Sequence, residues 1–550
     1  MWKKYGAFII VFSMTLGMVG CSESISNNSS NLNCYYYSIN ACGCSETVDN
    51  IQSLSIVSKD ASDFKAEYLA GFIQGKLQKA SIKDTRDNIW DNTYLVNPTH
   101  PFPKQIPPSA AELETIQQAL LENYAYTVNY INTLSNLKAQ RNLKRLMFRL
   151  LGIYHGVAYE NPSNLDFSGS WLPDLSYFTS AELRLGYNTA SLTFMDIYFI
   201  NGSDDAFSTP IEGASNLDMH GRCSAFIKKY QGDIAIAHNT WSGFLDQSLS
   251  SSFYINGLYH SFNMRMPGLI SSQSDFGYTS NGLMYTGIAF LPQANIQGKR
   301  LALWGIWQAA LSEQFSTSLD EFYEYWSMNV DNMPGTSPGG YLVVDTKTNE
   351  IATIEVSQQS LVYIKSNGSG SYNVTTNPGG LSTQYDTDMV NPNYIIAINY
   401  PASTQIRNDL NALDSRPARK VQFLNPTVGI NSVADIVSAK ALITYTDPNE
   451  PLSIYGRWDL GYGTTPTPKT VPKGSIDAKA IVSSMTGYAA NVSGILDTAS
   501  PNNSIWMKFG TPTINGKPFI WSESQWSNQL LKGVPDSVDD NFQLLRSYIK

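Results

Sequence analysis

Cys223 has the strongest claim to chemistry in this sequence. It stands in His220-Gly221-Arg222-Cys223-Ser224-Ala225-Phe226-Ile227-Lys228-Lys229, and the other four of the five cysteines all precede residue 45. A thiol has an ordinary pKa of about 8.5, so it needs a neighbour that takes its proton before it can act as a nucleophile. The apolar run after Cys223 turns at Gln231-Gly232-Asp233, and a second run, Ile234 to Ala237, ends in His238-Asn239-Thr240-Trp241. Two such runs around a polar, Gly-containing turn read as a β-hairpin. An antiparallel pair of this length returns His238 towards Cys223. The plain alternative for a solitary cysteine is a small buried hydrophobe.

Other motifs are weaker. Gly335-Thr336-Ser337-Pro338-Gly339 matches G-x-S-x-G as a string. That elbow needs a strand before it and a helix after it, and its oxyanion hole uses the N–H of the residue after the serine. Pro338 has no N–H, so Ser337 is set aside. His155 reads as a packed or surface histidine. No H-E-x-x-H, P-loop or dinucleotide fingerprint is present. Cys34, Cys42 and Cys44 can close one local disulfide but match no zinc spacing. No metal and no cofactor is therefore expected. A net charge of −9 gives no electrostatic case for nucleic acid.

The segment Cys223-Ser224-Ala225, the hairpin and Ala237-His238-Asn239-Thr240-Trp241 together resemble the phospholipase B-like family of N-terminal-nucleophile hydrolases. The likeness continues, in order, through Met266-Pro267-Gly268-Leu269-Ile270-Ser271-Ser272, Asp275-Phe276, Asn281-Gly282-Leu283, Gly474-Ser475-Ile476-Asp477-Ala478-Lys479, Pro518 to Ser522 and Leu530 to Asp536. It implies an α+β fold, the four-layer αββα sandwich, with a mainly helical N-terminal segment. It also implies self-cleavage between Arg222 and Cys223, after which the two fragments remain associated. The new α-amine of Cys223, of pKa about 7.7–8.0, then lies beside its own sulfur and can relay the proton. His238 and Asn239 are left to orient the nucleophile or the substrate. Asn399, in Ala397-Ile398-Asn399-Tyr400, resembles the superfamily's oxyanion-binding asparagine, and Arg419, in Ser415-Arg416-Pro417-Ala418-Arg419, its site arginine. The related penicillin V acylase-like enzymes end this hairpin in Arg-Asn-x-Asp, which is absent here. Gly339-Gly340 also replaces an Asn pair common in the family.

The implied substrate is a phospholipid or related acyl ester, cleaved through a thioester on Cys223. An acyl-amide or peptide amidase is the competing enzyme, and a non-catalytic envelope lipid-binding lipoprotein the reading of another class. Trp241, Phe244, Phe253, Tyr254, Tyr259, Phe262 and Phe276 could line an apolar trough, though such residues are mostly core. Arg222, Lys228 and Lys229 are the local candidates for anionic head groups.

The elements around the site follow from pattern. Lys3 and Lys4 precede an apolar run from Ala7 to Val19, too short to span a bilayer and suited to a secretory signal. Met18-Val19-Gly20-Cys21 looks like a bacterial lipoprotein signal, with Cys21 lipidated and the protein exported to a membrane surface; the alternative is an ordinary signal peptide with an incidental cysteine and a secreted protein. The expected organisation is a signal over 1–21, a flexible cysteine-bearing tether over 22–59, a mainly helical fragment over 60–222 and the catalytic fragment over 223–550. Ser109 to Glu112 reads as a capping box before a stripe of Leu113, Ile116, Leu120, Tyr124 and Ile131. Gly71 and Gly75 share a helix face and point to close packing. Phe194 to Ile200 leads into a polar loop at Asn201 to Asp205, and Ile211 to His220 is loop-like, as a cleavage site needs. Strands are expected at Leu283 to Phe290, Tyr341 to Asp345, Ile351 to Val356, Leu361 to Ile364 and Tyr394 to Tyr400. Helices are expected at Leu301 to Leu311, after Ser318, and at Asp435 to Ile443.

Overall fold

A computed structural model describes the chain from Leu32 to Arg546 apart from residues 39, 49–50, 95–106, 209–222, 244–249, 257–258, 273–275, 280, 291–300, 329–337, 367–371, 378, 381–382, 413–416, 448, 451–452, 458–472, 487–503, 511–518, 525–526, 528–535 and 538–540. Cys21, Arg222, Ser337 and the loop at 211–220 lie outside the described residues.

The chain opens with three strands, β1 (Leu32–Ser38), β2 (Ala41–Val48) and β3 (Ile51–Ser58). Within the flexible tether expected over 22–59, the described part from Leu32 to Ser58 is therefore a sheet margin instead. Small polar residues hide the strand pattern, because β3 buries Ser53 and Ser55 as well as Leu54 and Ile56. Cys34 and Cys44 oppose one another across β1 and β2 and form a disulfide.

Three long helices follow as expected: α1 (Asp63–Tyr94), α2 (Ala110–Thr133) and α3 (Leu137–Ala158). Ser109 and Glu112 make the reciprocal capping box, and Ile116, Leu120, Tyr124 and Ile131 are buried. Gly71 and Gly75 of α1 meet Gly152 and Gly156 of α3. A Cβ on Gly71 would stand 2.1 Å from the Arg149 carbonyl oxygen, and one on Gly152 would stand 2.1 Å from that of Tyr68. Only glycine permits backbones this close. His155 is a packed histidine, bonded through Nδ1 to the Tyr68 hydroxyl at 2.8 Å.

Helix α4 (Phe194–Ser208) runs straight through the stretch expected to be a loop. Asn201 donates to the carbonyls of Ile197 and Gly268 and accepts from the Ile270 N–H. Gly202 lies against the Trp304 ring. Tertiary contacts here override a weak helix propensity.

The hairpin comes next, as β4 (Ser224–Tyr230) and β5 (Asp233–Gly243). β6 (Ser250–Asn256), β7 (Tyr259–Arg265), β8 (Phe276–Thr279) and β9 (Leu283–Ala289) precede α5 (Gly305–Phe315) and α6 (Leu319–Ser327). α5 begins four residues later than expected, with Trp304 as its N-cap. The expected meander is β10 (Gly339–Asp345), β11 (Glu350–Val356) and β12 (Leu361–Ser366), extended by β13 (Tyr372–Asn377). Then come β14 (Val390–Asn391), β15 (Tyr394–Ala397), α7 (Thr404–Leu410), α8 (Pro417–Phe423), α9 (Ile436–Ile443), β16 (Lys473–Val482), β17 (Ser504–Phe509) and β18 (Gln543–Arg546).

The strands form two sheets. One has eleven strands in the order β1-β2-β3-β6-β7-β8-β9-β10-β11-β12-β13, and the other seven, ordered β14-β15-β4-β5-β16-β17-β18. Every pairing is antiparallel except β3 with β6. The fold is α+β, as expected. The sheets pack on each other where β4 and β5 meet β9, and where β15 meets β10 and β11. Ile288, Leu342 and Val344 share one apolar core with Ile227, Ile236 and Ile395. The opposite face of the larger sheet, with Leu283, Tyr285 and Val343, packs on Phe322 and Trp326 of α6. Helix α9 packs on β5 and β16 of the smaller sheet.

Candidate active site

The hairpin fixes the site. Gln231 and Gly232 both have positive φ, +36° and +85°, the backbone of a two-residue turn whose twist matches the strands it joins. The ladder then pairs Ala225 with His238 and Ser224 with Asn239. Cys223, next in line, is 3% exposed and is the free cysteine among the described residues.

Arg419 bonds the Cys223 backbone, and Asn399 and Trp241 hold Arg419. Arg419 of α8 is fully buried, and its Nη1 donates to the Cys223 carbonyl oxygen at 3.1 Å and to Asn399 Oδ1 at 3.3 Å. Its guanidinium lies 4.2 Å from the Trp241 ring centroid, a stacking that suits a planar cation. Asn399 lies two residues beyond the end of β15 in a left-handed conformation, φ +66°, and the strand stops at Ala397, short of the Tyr400 expected. It reaches over to the other sheet, where Nδ2 donates to the Ala289 carbonyl oxygen at 2.6 Å. A strained, non-glycine residue beside a nucleophile is a mark of functional sites.

Asn239 is wholly committed to bracing. Its Oδ1 accepts the Ser224 N–H at 3.1 Å, and its Nδ2 donates to the carbonyls of Ile443 and Ile454 at 3.0 and 2.8 Å. It therefore holds the residue after Cys223 in place, with no donor left for a substrate. Trp241 Nε1 bonds the same Ile454 carbonyl.

His238 is fully buried on the face of β5 that meets the larger sheet. Burial first, and the nearby Lys479 ammonium second, hold its pKa well below the ordinary value, so the imidazole is neutral. A neutral ring can accept a proton or a hydrogen bond, where an imidazolium can only donate.

The structure thus joins Cys223, Asn399 and Arg419 by direct bonds, and brings His238 and Asn239 to them through the hairpin ladder. Arg419 is no surface arginine. Three neighbours carry no role in the sequence reading: Thr240, Asp477 and Lys479. Two charges at i and i+2 inside the apolar run Ile476 to Val482 are the signal that marks the last two. Of the aromatics expected near the thiol, Trp241, Phe262 and Phe276 are core residues, each at most 1% exposed. No cluster of metal-ligating side chains occurs among the described residues, and no described helix is long and apolar enough to cross a membrane. Neither the known family models nor the curated proteins include a match to this chain.

Proposed function

We propose that the chain is an exported N-terminal cysteine hydrolase of the phospholipase B-like kind, tethered through Cys21, that deacylates phospholipids or related acyl esters. The observation that carries this reading is the buried arginine that grips both the Cys223 backbone and the strained Asn399. Two face-to-face sheets with helices packed outside support the four-layer sandwich of that class.

In the precursor, the Cys223 sulfur attacks the Arg222 carbonyl carbon. The peptide C–N bond breaks, the nitrogen takes the thiol proton, and a thioester joins Arg222 to Cys223. Water hydrolyses it to an Arg222 carboxylate and a free Cys223 thiol and amine. In turnover the amine takes the thiol proton while sulfur attacks the acyl carbonyl. Asn399 supplies a hydrogen-bond donor where negative charge develops on that oxygen. Arg419 fixes the Cys223 backbone and the Asn399 amide to each other. The glycerol hydroxyl of the lysophospholipid leaves with the proton that the Cys223 amine took, and water then releases the fatty acid and regenerates the thiol.

The test begins with an intact mass spectrum, which should show two pieces divided before Cys223, and one piece for Cys223→Ala. Cleaved protein is then given mixed phospholipids and, separately, N-acyl amino acids, with free fatty acid followed. Release from phospholipid supports the proposal, and release from the amides alone assigns an amidase. No release, with Cys223 inert to a thiol-reactive acyl probe, leaves the lipid-binding lipoprotein.

A further inference from the structure

The smaller sheet carries a buried charge pair that this chemistry does not use. Asp477 and Lys479 stand two residues apart on β16, and both side chains are fully buried. Lys479 Nζ lies 2.6 Å from Asp477 Oδ1 and 2.7 Å from the Thr240 hydroxyl. The same Asp477 oxygen accepts the Thr240 N–H at 3.0 Å. Ammonium, carboxylate and hydroxyl are locked into one unit.

Register places that unit at the site. Lys479 is directly opposite His238, and Asp477 is opposite Thr240. Directly opposed residues put their side chains on the same face. One step beyond the Ser224–Asn239 pair, the β4–β5 register leads to Cys223 and Thr240. The cation therefore shares a face with His238 and with the strand position where the nucleophile enters. An apolar pair of similar volume would serve stability as well or better, since buried ions lose their hydration. A second cation on His238 would face the Lys479 ammonium in a dry interior, where repulsion is strong.

We propose that Lys479, locked by Asp477 and Thr240, is a positioning residue of the Cys223 site: its charge reinforces burial in holding the opposed imidazole of His238 neutral and able to accept a proton or hydrogen bond. Its purpose rests on the hydrolase reading, but its test does not. The other titratable groups on this inter-sheet face include, among the described residues, Cys223, Lys229 at the far end of β4, its pKa held low by burial with Glu350 opposing, Tyr278 of β8, which burial keeps protonated, and Glu355 of β11. The Glu355 carboxylate is turned to the N–H groups of Ala402 and Ser403 at 2.6 and 2.8 Å. From β9 the Gly287 backbone approaches the ring, and neither ring nitrogen makes a well-aligned hydrogen bond.

The experiment is an NMR titration of full-length protein labelled with ¹⁵N-histidine, with the His238 signals identified by their loss in His238→Gln. The double variant Asp477→Asn/Lys479→Met removes both charges and leaves no lone buried ion. His238 should remain neutral to lower pH in the wild type than in the folded double variant, by about one pH unit or more. Lys479→Arg, which keeps the charge, should restore the wild-type titration. In parallel, the acid limb of Cys223 labelling by the acyl probe should move up in the double variant by a similar amount. Equal His238 titration in wild type and folded double variant overturns the proposal, as does a Lys479→Arg protein that titrates like the double variant. If His238 shifts as expected while Cys223 never labels, the charge device stands and the hydrolase reading falls.

Discussion

Arg419 and Asn399 divide the work at the residue scale. The oxyanion assignment of Asn399 predicts that Asn399→Ala lowers kcat by about 10- to 1000-fold and changes KM little. Steady-state kinetics on the cleaved protein decide it, and an unchanged kcat removes Asn399 from the chemistry. Arg419 behaves differently because it is buried. From sequence, Arg419→Ala is expected to impair activity without unfolding the protein. The structure adds a cost in stability: the change strips a charged donor from the Cys223 carbonyl and Asn399 Oδ1, and the stacked cation from Trp241. A loss on the order of 3 kcal/mol follows from charge-assisted bonds of this kind. Denaturant midpoints should show it, whereas Asn399→Ala should shift the midpoint far less. The legibility of this site was uneven for a physical reason. Cys223 and His238 are unusual residue types at informative spacing, and the hairpin that joins them is local. Asn399 and Arg419 come to Cys223 from 176 and 196 positions away, so only resemblance could propose them. Nothing local told the bracing role of Asn239, because its partners, the carbonyls of Ile443 and Ile454, are backbone atoms of distant segments.

At the scale of elements, the sequence spoke clearly wherever one element buries one face. α2 shows this, with its capping box and apolar stripe, and so does the β10–β12 meander. It was misleading where elements are covered all round or held from outside. β1–β3 looked like a polar tether, and the end of α4 looked like a loop. The Ser318 cap is one-sided: Ser318 accepts the Glu321 N–H, but the Glu321 carboxylate turns to Thr317 rather than to the Ser318 backbone. The α1–α3 contact supplies an element-scale prediction. A methyl on Gly152 would collide with the Tyr68 carbonyl oxygen at 2.1 Å, and neither backbone can yield without parting the helices. Overpacking of this kind costs about 1–3 kcal/mol or more, against a helix-propensity gain of up to about 1 kcal/mol for Gly→Ala. Gly152→Ala should therefore lower the thermal midpoint. An unchanged or raised midpoint would show that the helices do not meet through their glycines.

At the scale of the whole molecule, the proposed cut before Cys223 requires something that holds the two pieces together. The helical fragment would expose its apolar stripes if it left, and the structure adds stronger reasons. β3 comes from the first piece and β6 from the second, and they pair in parallel from Gln52 with Ser250 to Ser58 with Asn256. Cutting before Cys223 thus leaves the eleven-stranded sheet built from both pieces, with β1–β3 as its margin. Buried polar bonds cross the same division. Glu67 holds Arg145 and Arg149, Arg149 passes to Gln314, and Gln314 Nε2 donates to the Ile270 carbonyl oxygen. Asn123 donates to the Ala302 carbonyl oxygen at 2.8 Å. Separation would break the bonds of Arg149 to Gln314 and of Asn123 to Ala302, which cross the cut, at about 1–3 kcal/mol for each buried group orphaned. The two pieces should therefore co-elute in size-exclusion chromatography under native conditions, unfold in one cooperative transition, and separate only in denaturant. Gln314→Leu should weaken that association by leaving the Arg149 guanidinium short of an acceptor, seen as an earlier denaturant midpoint in the cleaved protein than in Cys223→Ala carrying the same change. Pieces that part on a native column, with the sheet intact in neither, would overturn the continuous sheet as the bond between them.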